Sequence, residues 1–237
     1  MKIKLFTIPN FITLSNLTCG VLAVKEVVAN QDYTLAFWLI ILAAGFDFLD
    51  GFVARLLNQQ SPIGVQLDSL SDLVSFGLAP TFVLFSLACD SFSVLNSEFV
   101  VKFFPYAAFL IVAFSALRLA KFNIDDSQQS NFVGLPTPAN ALFCMSLGLI
   151  CHTQGVQIPI EWLALISVMM SAFMVAPLDM FSLKFKGLGW GQNSIRYIFL
   201  AVAAIEIIQF KIIAMPIVVL TYIAISISRA VIKTKKA

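Results

Sequence analysis

Long apolar runs constrain this chain more than any other feature of its sequence. Eight segments each approach the length of roughly 20 apolar residues that an α-helix needs to cross a bilayer. In chain order they cover residues 11–29, 33–57, 65–89, 99–120, 138–153, 161–178, 195–209 and 212–230. Hydrophobic residues form 59% of the chain and charged residues only 12%, unlike the composition of soluble proteins. We therefore expect an all-α, polytopic membrane bundle of about eight transmembrane helices, with residues 1–237 in a single domain.

The distribution of positive charges predicts the orientation of this bundle. Eight spans put both termini on one side of the membrane, and the opposite side then holds only Lys25, Lys102 and Lys211 out of 15 lysines and arginines. Because short cytoplasmic loops are enriched in Lys and Arg, we expect both termini in the cytoplasm, in a bacterial-type inner or cell membrane. The fifth and seventh segments are short, so six or seven spans with a tilted or re-entrant helix are the alternative.

The net charge argues against one class of partner. It is only +2, which is not the basic excess that nucleic-acid-binding proteins carry. We expect no nucleic acid partner, and a lipid bilayer as the surroundings of the chain.

Four aspartates interrupt two of the apolar segments, at positions 47, 50, 68 and 72. An ionised carboxylate in a membrane costs several kcal/mol unless it is paired, hydrated or bound to a metal, so such residues indicate a functional site. The spacing of three residues in the first pair and four in the second puts each pair on one helix face. The polar link at residues 58–62 is short, so the two helices should pack antiparallel. The four carboxylates should then converge near the cytoplasmic ends of both helices.

Carboxylates held this close together need a compensating charge. Hard divalent cations prefer oxygen ligands, and the absence of a histidine or cysteine cluster argues against zinc or copper. We therefore expect magnesium or manganese at this site. Two such ions a few ångströms apart often stabilise the oxygens of a phosphoryl displacement, so a pair of ions is one form the site can take.

Small residues and one arginine accompany the aspartates. Gly51, Ala54 and Gly64 share their helix faces and leave room for a bulky ligand, and the guanidinium of Arg55 can hold a phosphate. Taken singly, the glycines would also suit close helix packing and Arg55 a membrane-interface anchor. A cation-coupled transporter is the alternative from another class, since intramembrane aspartates also bind transported ions.

The stretch from Asp47 to Asp72 resembles the signature of the CDP-alcohol phosphotransferases, D-x2-D-G-x2-A-R-x8-G-x3-D-x3-D, at every fixed position. The resemblance implies a membrane enzyme that transfers a substituted phosphate from a CDP-linked donor to a hydroxyl acceptor and releases CMP. It also implies a cytoplasm-facing site with two divalent metal ions, and a homodimer.

Four further stretches resemble one branch of that family, the membrane-embedded phosphatidylserine synthases. They cover residues 8–16, 67–80, 118–123 and 132–139. This resemblance implies CDP-diacylglycerol as the donor and L-serine as the acceptor.

The family resemblance also implies roles for individual residues. Asp47, Asp50 and Asp68 correspond to metal ligands. Asp72 is expected at the edge of the metal site as a further ligand, and it is the candidate base that takes the proton from the serine hydroxyl. The nucleotide and its diphosphate are expected near the following residues: Gly51, Ala54, Arg55 and Gly64 of the signature, with Asn10 and Thr13 from the first helix.

Serine is a zwitterion, and its carboxylate needs a cation. Arg118 and Lys121 lie at the cytoplasmic end of the predicted fourth helix and are candidates for this contact, although both would also suit interface anchors. A sister enzyme that uses glycerol 3-phosphate or inositol 1-phosphate is the nearest alternative. Its acceptor bears a phosphate and would need a denser group of cations, for which Lys184, Lys186 and Arg196 are available.

Overall fold

The computed structural model describes residues 4–124, 132–181 and 189–234 of the chain. Within these residues the fold is a bundle of α-helices with one very short pair of β-strands. The α-helices are α1 (Ile8–Lys25), α2 (Tyr33–Leu56), α3 (Pro62–Asp72), α4 (Ala79–Cys89), α5 (Glu98–Phe103), α6 (Phe109–Ile124), α7 (Thr137–Gln154), α8 (Ile160–Val175), α9 (Trp190–Phe210) and α10 (Ala214–Thr234).

Several of these helices join end to end into longer rods. A π-helical turn (Glu26–Asn30) extends α1, a second one (Leu73–Leu78) joins α3 to α4, and a 3-10 turn (Phe104–Ala108) joins α5 to α6. The 3-10 turn Lys211–Ile213 separates α9 from α10. Each of the eight predicted apolar segments therefore coincides with a helical segment of the described chain.

Five helical stretches are long and apolar enough to cross a membrane, among the residues that the structure describes. They are Ile8–Asn30, Tyr33–Leu56, Pro62–Cys89, Glu98–Ile124 and Asn193–Arg229. The helix α8 is apolar but shorter. The prediction of an all-α integral membrane protein is confirmed, whereas the number of eight spans stays a prediction.

Capping residues explain where the helices around the aspartates begin. The Asp32 side chain accepts a hydrogen bond from the Leu35 amide at 2.8 Å at the start of α2. The Ser61 hydroxyl accepts one from the Gly64 amide at 3.1 Å, and Pro62 follows it as the first helical residue. Because a serine cap followed by proline is a strong helix start, α3 begins three residues before the predicted segment.

The site lies where α1 packs against α2, α3 and the π-helical turn that follows α3. Apolar side chains of α1, α2, α4 and α7 form one core cluster there. A second cluster joins α4, α6, α7, α8, α9 and α10. Since α7 contributes to both clusters, it connects the aspartate-bearing half of the bundle to the rest.

A two-residue strand pair fixes the entry to α7. Phe132–Val133 pairs antiparallel with Asp179–Met180, and Phe132 lies opposite Met180. The Gly134 amide then donates to the Leu178 carbonyl at 2.9 Å. Gly134 has a φ of 83°, a conformation that favours glycine. This turn delivers Thr137 and Asn140 to the first turn of α7.

Candidate active site

Three carboxylates converge between α2 and α3. Asp47 and Asp50 lie on α2 and Asp68 on α3, and one oxygen from each lies within 4.8 Å of the others. Asp50 is buried and the other two are half-buried. The arrangement follows from the i, i+3 spacing on α2 and the antiparallel return of α3 across the link at residues 57–61.

Helix α1 supplies a hydrogen bond to this cluster. The Thr13 hydroxyl donates to Asp50 Oδ2 at 2.5 Å, and Thr13 itself is buried. This bond orients one carboxylate of the cluster from a neighbouring helix.

One oxygen of the cluster has no protein partner. Within the described residues, Asp68 Oδ1 is buried and accepts no hydrogen bond. A buried carboxylate oxygen without a partner is costly, and a bound cation would remove that cost. With three carboxylates and no nitrogen or sulfur ligand, the donor set fits a hard divalent ion. These three residues can therefore hold a metal ion.

A cavity of about 290 Å³ opens beside the carboxylates. Its wall contains two of the three clustered aspartates and all six residues that were expected near the nucleotide. The lining residues are Pro9, Asn10, Thr13, Asp50, Gly51, Ala54, Arg55, Gln59, Gln60, Ser61, Gly64, Val65 and Asp68. Pro9, the residues of the link and Val65 had not been predicted from sequence.

The glycines of the signature differ from the packing glycines of this bundle. A Cβ at Gly51 would meet only Arg55 Nη1, at 3.5 Å, and a Cβ at Gly64 would lie 3.2 Å from Ser61 Oγ. At Gly148, by contrast, a Cβ would lie 2.6 Å from Val83 Cγ1 and 2.9 Å from a Tyr33 ring carbon. Gly51 and Gly64 line the cavity, and a Cβ at either would come no closer than 3.2 Å to the neighbouring side chains.

Asp72 lies apart from the three clustered oxygens. It is one turn beyond Asp68, is 8% exposed, and its Oδ1 accepts a hydrogen bond from Asn16 Nδ2 at 3.1 Å. Asn16 had not been predicted as a site residue. Its signal was the recurrence of Asn10, Thr13 and Asn16 every three residues in an apolar helix, which puts polar groups along one side.

The two predicted acceptor-binding cations have different surroundings. Arg118 is only 8% exposed, its Nη1 donates to Thr137 Oγ1 at 3.1 Å, and its guanidinium is close enough to Asp72 for a Coulomb interaction. Lys121 is exposed. The structure therefore buries Arg118 against Thr137 of α7 and leaves Lys121 on the surface of α6.

Of the three cations that would favour a phosphorylated acceptor, the structure describes one, Arg196. Lys184 and Lys186 lie outside the described residues. Arg196 lies on α9, where its Nη1 donates to Asn193 Oδ1 at 3.0 Å.

Comparison with known proteins agrees with the geometry. A sequence model of the CDP-alcohol phosphatidyltransferase family matches residues 6–176. A CDP-diacylglycerol–serine O-phosphatidyltransferase of Helicobacter pylori is 34% identical over 140 residues, which are 58% of this chain and 55% of the relative. Proteins of the same name are 36% identical over 132 residues in Bacillus subtilis (55% of this chain, 69% of the relative) and 37% over 139 residues in Methanocaldococcus jannaschii (59% of each). The match to the Helicobacter pylori relative thus spans little more than half of that protein.

Proposed function

The chain belongs to the CDP-alcohol phosphatidyltransferase family, and we propose that it transfers the phosphatidyl group of CDP-diacylglycerol to the hydroxyl of L-serine. The observation that carries this proposal is the convergence of Asp47, Asp50 and Asp68 beside a cavity that Arg55 and Gly51 line. The names of the relatives support serine as the acceptor.

The clustered aspartates are the proposed metal ligands. Asp47, Asp50 and Asp68 would hold Mg²⁺ or Mn²⁺, as a pair of ions, with Asp72 at the edge of the set. When bound, the metal neutralises the charge of the diphosphate and of the departing CMP. The unpartnered Asp68 oxygen and the all-oxygen donor set support this assignment.

The polar cavity is the proposed nucleotide site. Arg55 is exposed on its wall, where the fork of the guanidinium can donate two hydrogen bonds to a phosphate. Gly51, Ala54 and Gly64 leave space in the cavity for the nucleotide, because none of them carries a side chain larger than a methyl group. Asn10 and Thr13 complete the wall from α1.

A separate apolar cavity supports a lipid donor. It measures about 440 Å³ and lies among α2, α7, α9 and α10, with Ile40 and Ala44 in its wall. These two residues lie seven and three positions before Asp47, spacings that put all three on one face of α2. An acyl chain of the donor can therefore extend from the carboxylates along α2 into the bilayer.

Asp72 is the proposed proton acceptor. The serine oxygen attacks the phosphorus that bears the diacylglycerol, forming a new P–O bond while the P–O bond to CMP breaks. The hydroxyl proton passes to the Asp72 carboxylate, which Asn16 holds in place, and the electron pair leaves with CMP. We assign Arg118 to the serine carboxylate, with Lys121 as a more distant cation at the entrance.

The proposal extends to the assembly. We propose that residues 1–237 act as one membrane domain, that the aspartates face the cytoplasm, and that two copies form a homodimer. The excess of Lys and Arg on the predicted cytoplasmic side supports the orientation.

Release of CMP from CDP-diacylglycerol tests the function. Purified protein with Mn²⁺ or Mg²⁺ is incubated separately with L-serine, glycerol 3-phosphate and inositol 1-phosphate. We expect CMP release and phosphatidylserine only with L-serine, and no release after chelation of the metal.

Two other results would contradict the proposal in different ways. Acceptor-dependent release with either phosphorylated alcohol would identify the sister activity. No release with any acceptor, together with metal-dependent cation flux in proteoliposomes, would support the transporter instead.

A further inference from the structure

Three buried polar atoms without partners belong to side chains that hydrogen bonds and helix spacing connect to the region of Asp72. Within the described residues, Asn16 Oδ1, Arg118 Nε and Asn140 Nδ2 are buried and form no hydrogen bond. Asn16 and Asn140 are fully buried, and Arg118 is 8% exposed. Because buried polar groups in folded proteins almost always have partners, such atoms call for an explanation. A ligand that carries the missing partners is the simplest one.

The known contacts locate these three side chains relative to Asp72. Asn16 touches Asp72 directly, through its Nδ2 at 3.1 Å. The Arg118 guanidinium interacts electrostatically with Asp72. Its Nη1 donates a hydrogen bond to Thr137 Oγ1 at 3.1 Å. Asn140 follows Thr137 by three residues on the first turn of α7, a spacing that puts both on one side of the helix. Three helices, α1, α6 and α7, therefore contribute one unpartnered group each.

The unpartnered atoms have the pattern of an amino acid zwitterion. Arg118 Nε and Asn140 Nδ2 are donors, which suits a carboxylate, while Asn16 Oδ1 is an acceptor, which suits an ammonium. Asp72, which Asn16 contacts directly, can take the hydroxyl proton. A phosphorylated alcohol fits these three side chains less well, because it would bring no ammonium to Asn16 and they offer a single guanidinium for its phosphate.

We propose that Asn16, Arg118 and Asn140 form the acceptor subsite and select a small amino acid by both of its charged groups. This inference rests on the proposed function, since it uses Asp72 as the proton acceptor. It adds two binding residues, Asn16 for the ammonium and Asn140 for the carboxylate. Asn16 also positions Asp72 through its second amide atom.

Two truncated acceptors separate the contribution of the carboxylate contact from that of the ammonium contact. Ethanolamine is serine without its carboxylate, and 3-hydroxypropionate is serine without its ammonium. Steady-state CMP release gives KM and kcat for each acceptor, and KM for CDP-diacylglycerol is measured in parallel. The wild-type protein should use L-serine in preference to both analogues.

Variants at Asn140 should affect the carboxylate contact alone. In Asn140→Leu, which keeps the approximate shape, KM for L-serine should rise about tenfold or more, as expected for loss of a hydrogen bond to a charged group. KM for CDP-diacylglycerol should stay within about threefold of wild type. The preference for L-serine over ethanolamine should shrink by the same factor as the serine KM rises. Asn140→Asp would repel the substrate carboxylate and should also raise KM for L-serine. It replaces the leucine variant in this experiment if that variant does not fold.

Variants at Asn16 should affect the ammonium contact. Asn16→Leu should reduce the preference for L-serine over 3-hydroxypropionate, and it should also lower kcat because Asp72 loses its hydrogen bond. Asn30→Leu, the same substitution at the exposed far end of the first helical rod, is the matched control and should leave both preferences unchanged.

The outcomes distinguish this inference from the proposed function. Serine-dependent turnover with unchanged acceptor preferences in the Asn16 and Asn140 variants would overturn the subsite and leave the function standing. If no acceptor supports turnover, calorimetric titration of the protein with L-serine decides. If the wild-type protein binds L-serine and Asn140→Asp does not, the subsite is supported even though the proposed reaction is not. If the wild-type protein does not bind L-serine, both the subsite and the proposed function are overturned.

Discussion

Asp72 differs from the three clustered aspartates in its partners. Its carboxylate accepts a hydrogen bond from an uncharged amide, Asn16, and interacts electrostatically with the buried guanidinium of Arg118. The clustered oxygens instead face one another. A carboxylate that lies beside the proposed metal ligands, but outside their cluster, keeps a lone pair for a proton, which is the property a general base requires.

Replacing Asp72 by Asn tests this role. The substitution keeps the shape of the side chain but removes its capacity to accept the hydroxyl proton. We expect kcat to fall by about 10²- to 10⁴-fold, the usual contribution of general base catalysis. CMP binding, measured by calorimetry with Mn²⁺ present, should remain within a few-fold of wild type.

Asp32→Asn is the matched control for that experiment. Asp32 caps α2 at the end far from the cluster, and asparagine is an equally good cap, so turnover should not change. Near-normal kcat in Asp72→Asn would refute the role of Asp72 as the base.

Sequence spacing predicted residue contacts within a helix and missed those between helices. The faces that carry Asp47 and Asp50, or Asp68 and Asp72, follow from helix periodicity. The Thr13–Asp50 and Asn16–Asp72 hydrogen bonds join residues 37 and 56 positions apart. No local pattern encodes such pairs, because they depend on how α1 packs across the other two helices.

At the scale of elements, α1 packs closely against the end of α3 and the π-helical turn that follows it. The Ser71 and Ser75 hydroxyls donate to the α1 carbonyls of Thr13 and Asn16 at 3.1 and 3.0 Å. A Cβ at Gly20 would lie 2.7 Å from Ser75 Cα, which is closer than real contacts allow. The absence of a side chain at Gly20 therefore lets α1 approach the rod that carries Asp72.

Gly20→Ala should separate these two elements. The added methyl group meets backbone atoms that have little freedom to move, so we expect a loss of about 1–3 kcal/mol in stability, as for other overpacked cores. A lower midpoint of thermal unfolding in detergent and reduced turnover would both report it.

Gly45→Ala is the matched control, because a Cβ at Gly45 has nothing within 4 Å. Its midpoint should be unchanged or slightly higher, since alanine favours helix over glycine. Equal midpoints for the two alanine variants would contradict the close approach of α1 to Ser75.

Helix positions were predictable from sequence, but helix irregularities were not. Apolar runs of sufficient length located each helical segment, and Ser61-Pro62 accounts for the early start of α3. The π-helical turns at Glu26–Asn30 and Leu73–Leu78 gave no signal, because one widened turn leaves the apolar run intact. Such turns recur near functional sites, and the second one directly follows Asp72.

At the scale of the whole molecule, the apolar surface is what identifies the surroundings. Phe48 is 70% exposed, Trp38 59% and Ile208 78%. In water, contiguous exposure of such side chains would promote aggregation, whereas in a bilayer they contact lipid. Composition predicted this surface, but it does not determine which helices cross fully, because α8 is short and α9 and α10 form one apolar stretch.

The orientation of the bundle can be tested with a native cysteine. The rod from Pro62 to Cys89 has 28 residues, or roughly 40 Å at 1.5 Å per residue, close to the thickness of a bilayer with its headgroups. Cys89 is exposed at the end of this rod away from the aspartates, whereas Cys19 and Cys144 are buried. If the aspartates face the cytoplasm, Cys89 lies outside.

A membrane-impermeant maleimide should therefore label Cys89 in intact cells, or in spheroplasts where an outer membrane would block it. The label should disappear in Cys89→Ser. Any label that remains in this variant measures the reaction of the half-buried Cys151. In the Cys89→Ser background, Leu57→Cys, at the exposed end of α2 beside the aspartates, should be labelled only after the membrane is permeabilised. The reverse pattern would put the aspartates on the outer face, where a cytoplasmic CDP-linked donor could not reach them.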